Sequence, residues 1–433
     1  MWDLGEFLGW DSGGVGQAAL PTQRHRPRHG QPVAGRHRAN AAVLAAVGPR
    51  VGVPSGNVLI PAPRRPQSPP RRKNKLAVGR ASPMGRIIAV IPAHNEEAVI
   101  KGAVTALQDQ TLQPSRVVVV ADNCTDETPR VAFDAGAQVL LTEGNRHKKA
   151  GALNQVFADL LPQMADNDMI MVVDADSELD AEFLNYAVAK IKADPTLGAV
   201  GGIFRGGAGG GFVGHLQRNE YARYARDVAR RNGRCLVVTG TAALFRVATL
   251  KAVRSGRLAG TLPPGDGMGG IYDISVLTED NELTFALLHL GYKVLSPKQC
   301  TLVTEVMPTW RALWKQRERW KRGAFENCVQ YGLTRITWRY WARQVFTMLG
   351  ILVTFAYLGT LIYSAVTDSF RPQPIWMSVT AVFVLERVVT VRYRGWKHML
   401  LAATMYELVL DMFLQFVHAK AFADALLRRE RRW

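Results

Sequence analysis

Three unbroken apolar runs restrict what this chain can fold into: Ile87-Ile-Ala-Val-Ile91, Val117-Val-Val-Val-Ala121 and Met169-Ile-Met-Val-Val173. A strand with one face in water alternates apolar and polar residues. A continuous run needs cover on both faces, as in a parallel sheet between layers of helices. The intervening pattern supplies those helices, near Ala98–Gln108 and Ala150–Leu161, and a further short strand at Gln138–Leu141. This alternation predicts an α/β domain with a mainly parallel sheet. Each run opens into a polar segment: Pro92-Ala-His-Asn-Glu-Glu97, Asp122-Asn-Cys-Thr-Asp126 and Asp174-Ala-Asp176. Open α/β sheets bind ligands at the carboxyl ends of their strands.

The segment before these runs is of another kind. Residues 1–83 hold 13 of the Lys and Arg residues against Asp3, Glu6 and Asp11, which places +10 of the chain's +18 there. Runs such as Pro61-Ala-Pro-Arg-Arg-Pro66 and Pro69-Pro-Arg-Arg-Lys73 cannot bury enough apolar surface to offset their ordering entropy. We expect a disordered basic arm with one short helix at Ala41–Val47. Such an arm is a solvated tail or an anionic-lipid contact; no specific nucleic-acid partner is expected. A chain starting at Met84 would keep the whole α/β domain. The acids and the missing apolar core near Met1 argue against a secretory leader. Cys124, Cys235, Cys300 and Cys328 lack metal-ligand spacing and suggest no disulfide framework, so a reducing compartment fits.

Beyond the last apolar run lie two Gly-rich loops. Gly206–Gly211 lacks the spacing of a dinucleotide fingerprint, and Gly256–Gly270 is a candidate lid. A helix over Asn281–Leu290 ends at Gly291, a suitable C′ residue. Trp310-Arg-Ala-Leu-Trp-Lys-Gln-Arg-Glu-Arg-Trp-Lys-Arg-Gly323 reads as a cationic, tryptophan-bearing helix. Val345–Val366 follows, 22 residues without a charge and long enough to span a bilayer. Pro374–Val391 is interrupted by Glu386-Arg387, and His398–His418 carries Glu407 and Asp411, which are costly in a span. The expected organisation is an α/β domain over 84–335, including an interfacial helix at 309–323. A membrane region at 344–433 follows, with helices at 345–366, 374–391 and 398–418 making two to three spans. Three spans would put the basic tail Arg428–Arg432 across the membrane from the α/β domain, against the positive-inside tendency.

Several groups could carry chemistry, and each has a plain structural alternative. Asp174 and Asp176 could share a divalent cation with phosphate oxygens, or merely end a strand. Glu279 and Asp280, after Thr278, could supply a base or favour a helix N-terminus. Asn145-Arg-His-Lys-Lys-Ala150 opens a helix with cations suited to a phosphate, or forms a solvated loop. Gln316, Arg319 and Trp320 share one helix face and could grip a diphosphate, or anchor the helix at lipid headgroups.

In order and spacing these segments resemble the family-2 glycosyltransferases of GT-A fold, in the branch of cellulose, hyaluronan, chitin and poly-N-acetylglucosamine synthases. The resemblance covers about Arg86–Gly332. It rests on Ile91-Pro-Ala-His-Asn-Glu-Glu97, Asp122–Asp126, Lys149-Ala-Gly-Ala-Leu-Asn154, Asp174-Ala-Asp176, Val238-Thr-Gly-Thr241, Thr278-Glu-Asp280 and Gln316-Arg-Glu-Arg-Trp320. It implies that Ala93, Glu96, Asp122 and Asp174 hold a UDP-sugar, with Lys149 near the diphosphate. Asp176 would ligate Mg²⁺ or Mn²⁺. Gly240, Thr241 and Glu279 would serve the acceptor, a saccharide or lipid. Asp280 would be the base, and Gln316, Arg319 and Trp320 the diphosphate clamp. The implied reaction is an inverting transfer of a hexose or N-acetylhexosamine by an integral membrane enzyme with a cytoplasmic catalytic domain. Product chains and single transfer to a polyprenyl phosphate, glycolipid or protein are both compatible with it. The family's larger synthases have transmembrane helices on both sides of this domain, whereas none is expected before Arg86. The acceptor motif reads Val-Thr-Gly-Thr where many members have Cys-Gly-Ser.

Overall fold

The computed structural model describes residues 85–369, 371, 374–392 and 395–430. The arm 1–83 and the short helix expected at 41–47 fall outside the described residues. The apolar runs form β1 (Ile87–Ala93), β2 (Arg116–Ala121) and β4 (Met169–Val173), with β3 (Gln138–Leu141) at the sheet's edge. Successive residues feed opposite core layers. Ile87, Ala89 and Ile91 pack into one, and Ile88 and Val90 into the other. This is why the runs carry no alternation.

The seven-stranded sheet has the order β3-β2-β1-β4-β8-β6-β9. Its added strands are β6 (Leu197–Gly201), β8 (Ala242–Arg246) and β9 (Lys293–Leu295). β8 is antiparallel to β4 and β6, and the remaining pairs are parallel. The expected mainly parallel sheet is therefore present. One layer is built on α1 (Ile100–Gln108), whose Ile100, Ala103, Val104 and Leu107 form a single buried stripe. The other is built on α3 (Lys148–Leu160), α6 (Val247–Leu258) and α7 (Glu279–His289). A smaller sheet joins β5 (Ser177–Leu179), β10 (Thr301–Thr304) and β7 (Ile203–Gly206).

The glycine-rich stretch expected as a lid is tied down. Asn154 Nδ2 donates to the Tyr272 carbonyl at 2.8 Å, and its Oδ1 accepts from Tyr272 N at 2.9 Å. Arg257 donates to the carbonyls of Pro263 and Ile271, each at 2.9 Å. It also pairs with Glu282 at 2.6 Å, with both side chains wholly buried. Tyr331 Oη donates to the same carboxylate at 2.6 Å.

The C-terminal helices differ from expectation in extent. The cationic helix α8 runs from Trp310 to Tyr331, past 323, and Thr309 caps it by accepting from Ala312 N at 3.2 Å. α9 (Trp338–Val366) begins seven residues before the uncharged stretch. α10 spans Pro374–Thr390. The segment expected as one helix at 398–418 is two, α11 (Trp396–Ala403) and α12 (Leu408–Leu426), bent by 59° at the break. Among the described residues, α9 alone is long and apolar enough to cross a membrane, or two segments are if the bent pair counts as one.

A helix absent from the sequence reading, α5 (Gly211–Arg230), explains the charges inside the apolar segments. Asn219 Nδ2 donates to Glu407 at 2.7 Å, and Arg223 also pairs with Glu407. Arg226 pairs with Glu386 at 2.6 Å, while Arg387 bridges Glu407 at 2.9 Å and Asp411 at 2.5 Å. These ionisable groups face protein partners.

The buried Arg257–Glu282 pair yields a stability prediction. Glu282→Gln leaves Arg257 without its counter-charge, and removing one partner of a buried pair typically costs ~3–5 kcal/mol. Thermal unfolding of the purified variant should show a large fall in midpoint. A midpoint equal to the parent's would contradict this account of the loop's anchor.

Candidate active site

Strand register brings the polar segments together. Ala93 pairs with Ala121 across β1 and β2, and Asp122 N donates to the Ala93 carbonyl at 2.8 Å. Val173 pairs with Ala242 across β4 and β8, and Asp174 N donates to the Thr241 carbonyl at 3.0 Å. Antiparallel β8 thus delivers Gly240 and Thr241 to the same sheet edge as the ends of the parallel strands. The result is a cleft of about 200 Å³ lined by Pro92, Ala93, His94, Glu96, Asp122, Lys149, Ala152, Asp174, Ala175 and Asp176.

Lys149 joins the cleft to the start of α7. Its Nζ donates to Asp174 Oδ1 at 2.5 Å and to the Gly240 carbonyl at 3.2 Å, and lies 3.6 Å from Glu279 Oε1. Burial alone would lower its pKa, but the carboxylates of Asp174 and Glu279 raise it well above the usual lysine value. Asp280 accepts from Gly240 N at 2.9 Å and from Asn281 N at 2.8 Å. Burial, then the Glu279 charge, holds its carboxyl above the usual range despite Lys149 and those amides. Space beside residue 240 is tight. A Cβ there would lie 3.1 Å from Lys149 Nζ and 3.3 Å from Asp280 Oδ2, closer than most such contacts.

The small sheet holds Asp176. Its Oδ1 accepts from Ser177 Oγ at 3.0 Å and Thr304 Oγ1 at 3.3 Å. Across the cleft the carboxyl of Glu96 is pushed up to about 7, first by burial and then by Asp176, Glu305 and Asp174. Asp122 Oδ1 accepts from Thr142 Oγ1 at 2.7 Å and Asn123 Nδ2 at 2.9 Å. Among the described residues no group of three or more His, Cys, Asp or Glu side chains is arranged to hold a metal ion. Asp174 is already engaged by Lys149, so the two aspartates do not present a shared pair.

α8 docks on the same region through Gly323, where a Cβ would meet Thr278 Oγ1 at 2.5 Å. Asn327 Nδ2 donates to the Thr278 carbonyl at 3.0 Å. Arg319 lies near enough to Lys148 to add to burial in lowering the pKa of that lysine. Gln316 Oε1 is buried without a hydrogen-bond partner. The structure therefore gathers Ala93, Glu96, Asp122, Lys149, Asp174 and Asp176 in one cleft, with Gly240, Thr241, Glu279 and Asp280 at its edge. Gln316, Arg319 and Trp320 stand on α8, outside the cleft lining.

Two residues that the sequence reading passed over support Trp320. Arg317 stacks over its indole at 4.4 Å and donates to Glu220 on α5 at 2.8 Å. Arg317 was visible inside the motif, but Glu220 lies 97 residues earlier in the chain and no spacing connects them.

Residues 88–254 match the profile of glycosyl transferase family 2. The probable glycosyltransferase YdaM of Bacillus subtilis (strain 168) is 28% identical over 247 residues, covering 55% of this chain and 55% of its own length. The poly-beta-1,6-N-acetyl-D-glucosamine synthase of Staphylococcus aureus (strain COL) is 24% identical over 285 residues, 63% of this chain and 64% of the relative. The chain thus spans less than two thirds of the length of these relatives. Among solved structures, the mannosyltransferase PcManGT from Pyrobaculum calidifontis, in complex with GDP-Man and Mn²⁺, shares the fold. Its TM-score is 0.53 at 18% identity, with 80% of this chain and 88% of that chain covered.

The Lys149 cluster makes a prediction independent of any ligand. Lys149→Met leaves Asp174 and Glu279 without their shared cation. The pair is partly exposed, so the expected loss is roughly 1–3 kcal/mol at neutral pH. Burial then raises the Asp174 carboxyl in the folded variant above its unfolded value, with Lys149 no longer there to oppose it. The folded variant would bind more protons, so the deficit should shrink as pH falls into the carboxylate range. Denaturant unfolding across pH measures this, and a deficit constant with pH would contradict it.

Proposed function

We propose that this chain, whose residues 88–254 match glycosyl transferase family 2, is a glycosyltransferase that works at a membrane, moving a hexose or N-acetylhexosamine from a UDP-sugar to a saccharide or lipid acceptor. The observation that carries this reading is the Lys149 bridge. It joins the cleft that would hold the donor to Glu279 and the Gly240 carbonyl, and the Gly240 amide in turn donates to Asp280, the candidate base.

In this reading Asp122 and Glu96 hold the uridine end, Ala93 forms the cleft wall, and Asp174 with Lys149 fixes the floor. Gly240, Thr241 and Glu279 border the acceptor site. The acceptor hydroxyl gives its proton to the Asp280 carboxylate as its oxygen bonds to the anomeric carbon. The bond from that carbon to the diphosphate breaks, the configuration inverts, and UDP leaves. A base whose pKa is raised by burial accepts a proton more readily near neutral pH. Arg319 answers charge on the leaving diphosphate. The unsatisfied Gln316 Oε1 awaits a donor from a ligand or water.

Asp176, with Glu96 and Glu305 nearby, fits Mg²⁺ or Mn²⁺ held by one or two carboxylates plus phosphate oxygens. When bound, the ion would neutralise diphosphate charge. The catalytic domain is expected on the cytoplasmic side of the membrane, where sugar nucleotides would reach it.

The test is UDP release by the purified protein against a panel of UDP-hexoses and UDP-N-acetylhexosamines, with and without Mg²⁺ or Mn²⁺. One donor should turn over, and a chelator should stop it. Mass spectrometry under excess donor distinguishes a growing chain from a single added sugar. Failure to consume any UDP-sugar with either metal would contradict the reading.

A further inference from the structure

We propose that Tyr272 is a positioning residue for Asp280: through one buried water its hydroxyl holds the carboxylate that would take the acceptor's proton. The inference rests on the reading of Asp280 as the base.

A small cavity lies between the sheet and α7 and shares no lining residue with the donor cleft. Its volume is about 10 Å³, room for a single water and for nothing larger. Side chains of β4 and β8 form an apolar wall, and Thr239, Gly240, Tyr272, Asp280 and Thr284 line the rest. Apolar cavities stay dry, whereas a water is held where several polar groups converge.

Most of the polar groups around the cavity are engaged. Gly240 N donates to Asp280 Oδ2 at 2.9 Å. Thr284 Oγ1 donates to the Asp280 carbonyl at 2.8 Å and accepts from Val238 N at 3.1 Å. Thr239 Oγ1 lies 3.0 Å from Thr241 Oγ1. Tyr272 differs. Asn154 takes both of its backbone groups, and its ring stacks on Phe157 with centroids 6.0 Å apart. The residue is thereby fixed, with 3% of its surface exposed. Its hydroxyl end feels the charges of Lys149, Glu279, Asp280 and Asp174. Among the described residues that hydroxyl has no hydrogen-bond partner. A buried tyrosine hydroxyl ordinarily has one. A water in the cavity supplies it, and the same water can donate to Asp280.

The direction of donation follows from the surroundings. Burial holds the Tyr272 hydroxyl above the usual tyrosine range; Lys149 opposes this, and Glu279, Asp280 and Asp174 add to it. The hydroxyl therefore keeps its proton across the physiological range and donates. Asp280 already accepts from the amides of Gly240 and Asn281. A further donor on the cavity side would fix the plane of the carboxylate and leave a lone pair for the acceptor hydroxyl. Hydrogen bonds to a carboxylate also favour its charged form, so the donor would offset part of the burial that raises the Asp280 carboxyl. The other titratable groups facing Asp280 are Glu279 beside it on α7, Lys149 on α3 and Tyr224 on α5. None of these lines the cavity.

Tyr272→Phe tests this, because the ring and its packing remain and only the phenol oxygen is lost. Initial rates of UDP release across pH are compared with the parent, both as full chains, using the UDP-sugar and metal on which the parent turns over. Losing a donor to the charged form raises a carboxyl's pKa. The acid limb of kcat should therefore move up by about one pH unit, the scale of one hydrogen bond to a charged group. KM for the donor should hold, since Tyr272 lies outside the donor cleft. An acid limb at the parent's pH would overturn the proposal, because a loss of packing alone lowers rate or stability and leaves the limb in place. A crystal structure of the parent gives a readout that needs no turnover. A water bonded to both Tyr272 Oη and Asp280 is expected; a dry cavity, or a hydroxyl bonded elsewhere, would overturn the proposal. A parent that shows this water but consumes no UDP-sugar would count against glycosyl transfer and not against the Tyr272–Asp280 contact.

Discussion

The Lys149 ammonium is the contact on which the site's geometry depends. It reaches Asp174 at the end of β4, the Gly240 carbonyl just before β8, and Glu279 at the start of α7. No backbone hydrogen bond of the sheet joins α7 to β4, so the ammonium does so through side chains. It also decides the carboxylates' roles. Asp174 is engaged by a cation, and in the proposed function it is a structural and donor-facing acid. Asp176, held by two hydroxyls, keeps an oxygen for a ligand. Asp280 lies one residue beyond Glu279 in the chain and is oriented by the Gly240 amide. Removing the cation would set three acids against one another in a partly buried space.

A second set of contacts holds the far wall. Gly323 lets α8 approach Thr278 closely, and Asn327 fastens it there. On its other side α8 meets α5, where Glu220 holds Arg317 and Arg317 stacks on Trp320. α5 in turn carries Asn219, Arg223 and Arg226, which bind the acids of the C-terminal helices. One helix therefore joins the motif on α8 to the apolar segments. The sequence alone left the α8 motif between a membrane anchor and a clamp. In the folded chain the helix stands against both the catalytic domain and the apolar segments.

How much of this was legible follows from how far each signal reaches along the chain. The parallel strands were legible because burial on both faces leaves a continuous run, as in Val117–Ala121. The acids at their ends were legible because each adjoins its strand. Strands β5 to β10 were not, because they are short, and in β6 and β7 glycines weaken the apolar character further, as in Leu197–Gly201. α5 was hidden for another reason. It buries Gln217 and Asn219 against polar partners, so the apolar period of Val213, Leu216, Tyr221 and Val228 is interrupted on its inward face. The third apolar segment misled by composition. Its Glu407 and Asp411 looked like a cost within a bilayer, and α5 and Arg387 supply their partners. The meeting of Lys149 with Glu279 depends on a fold that spans 130 residues, which no local pattern encodes.

The central claim is that donor binding and proton removal are separate tasks on the two sides of Lys149, with Asp280 responsible for the second. The most direct measurement compares Asp280→Asn with the parent in two assays on the same preparation: calorimetric binding of UDP with Mn²⁺, and turnover of the donor sugar. Asparagine keeps the shape and the hydrogen bond from Gly240 but cannot take a proton. The account predicts UDP affinity within about twofold of the parent and a loss of turnover on the order of 10²-fold or more, the scale of general-base catalysis. Turnover at the parent's rate with equal binding would contradict it.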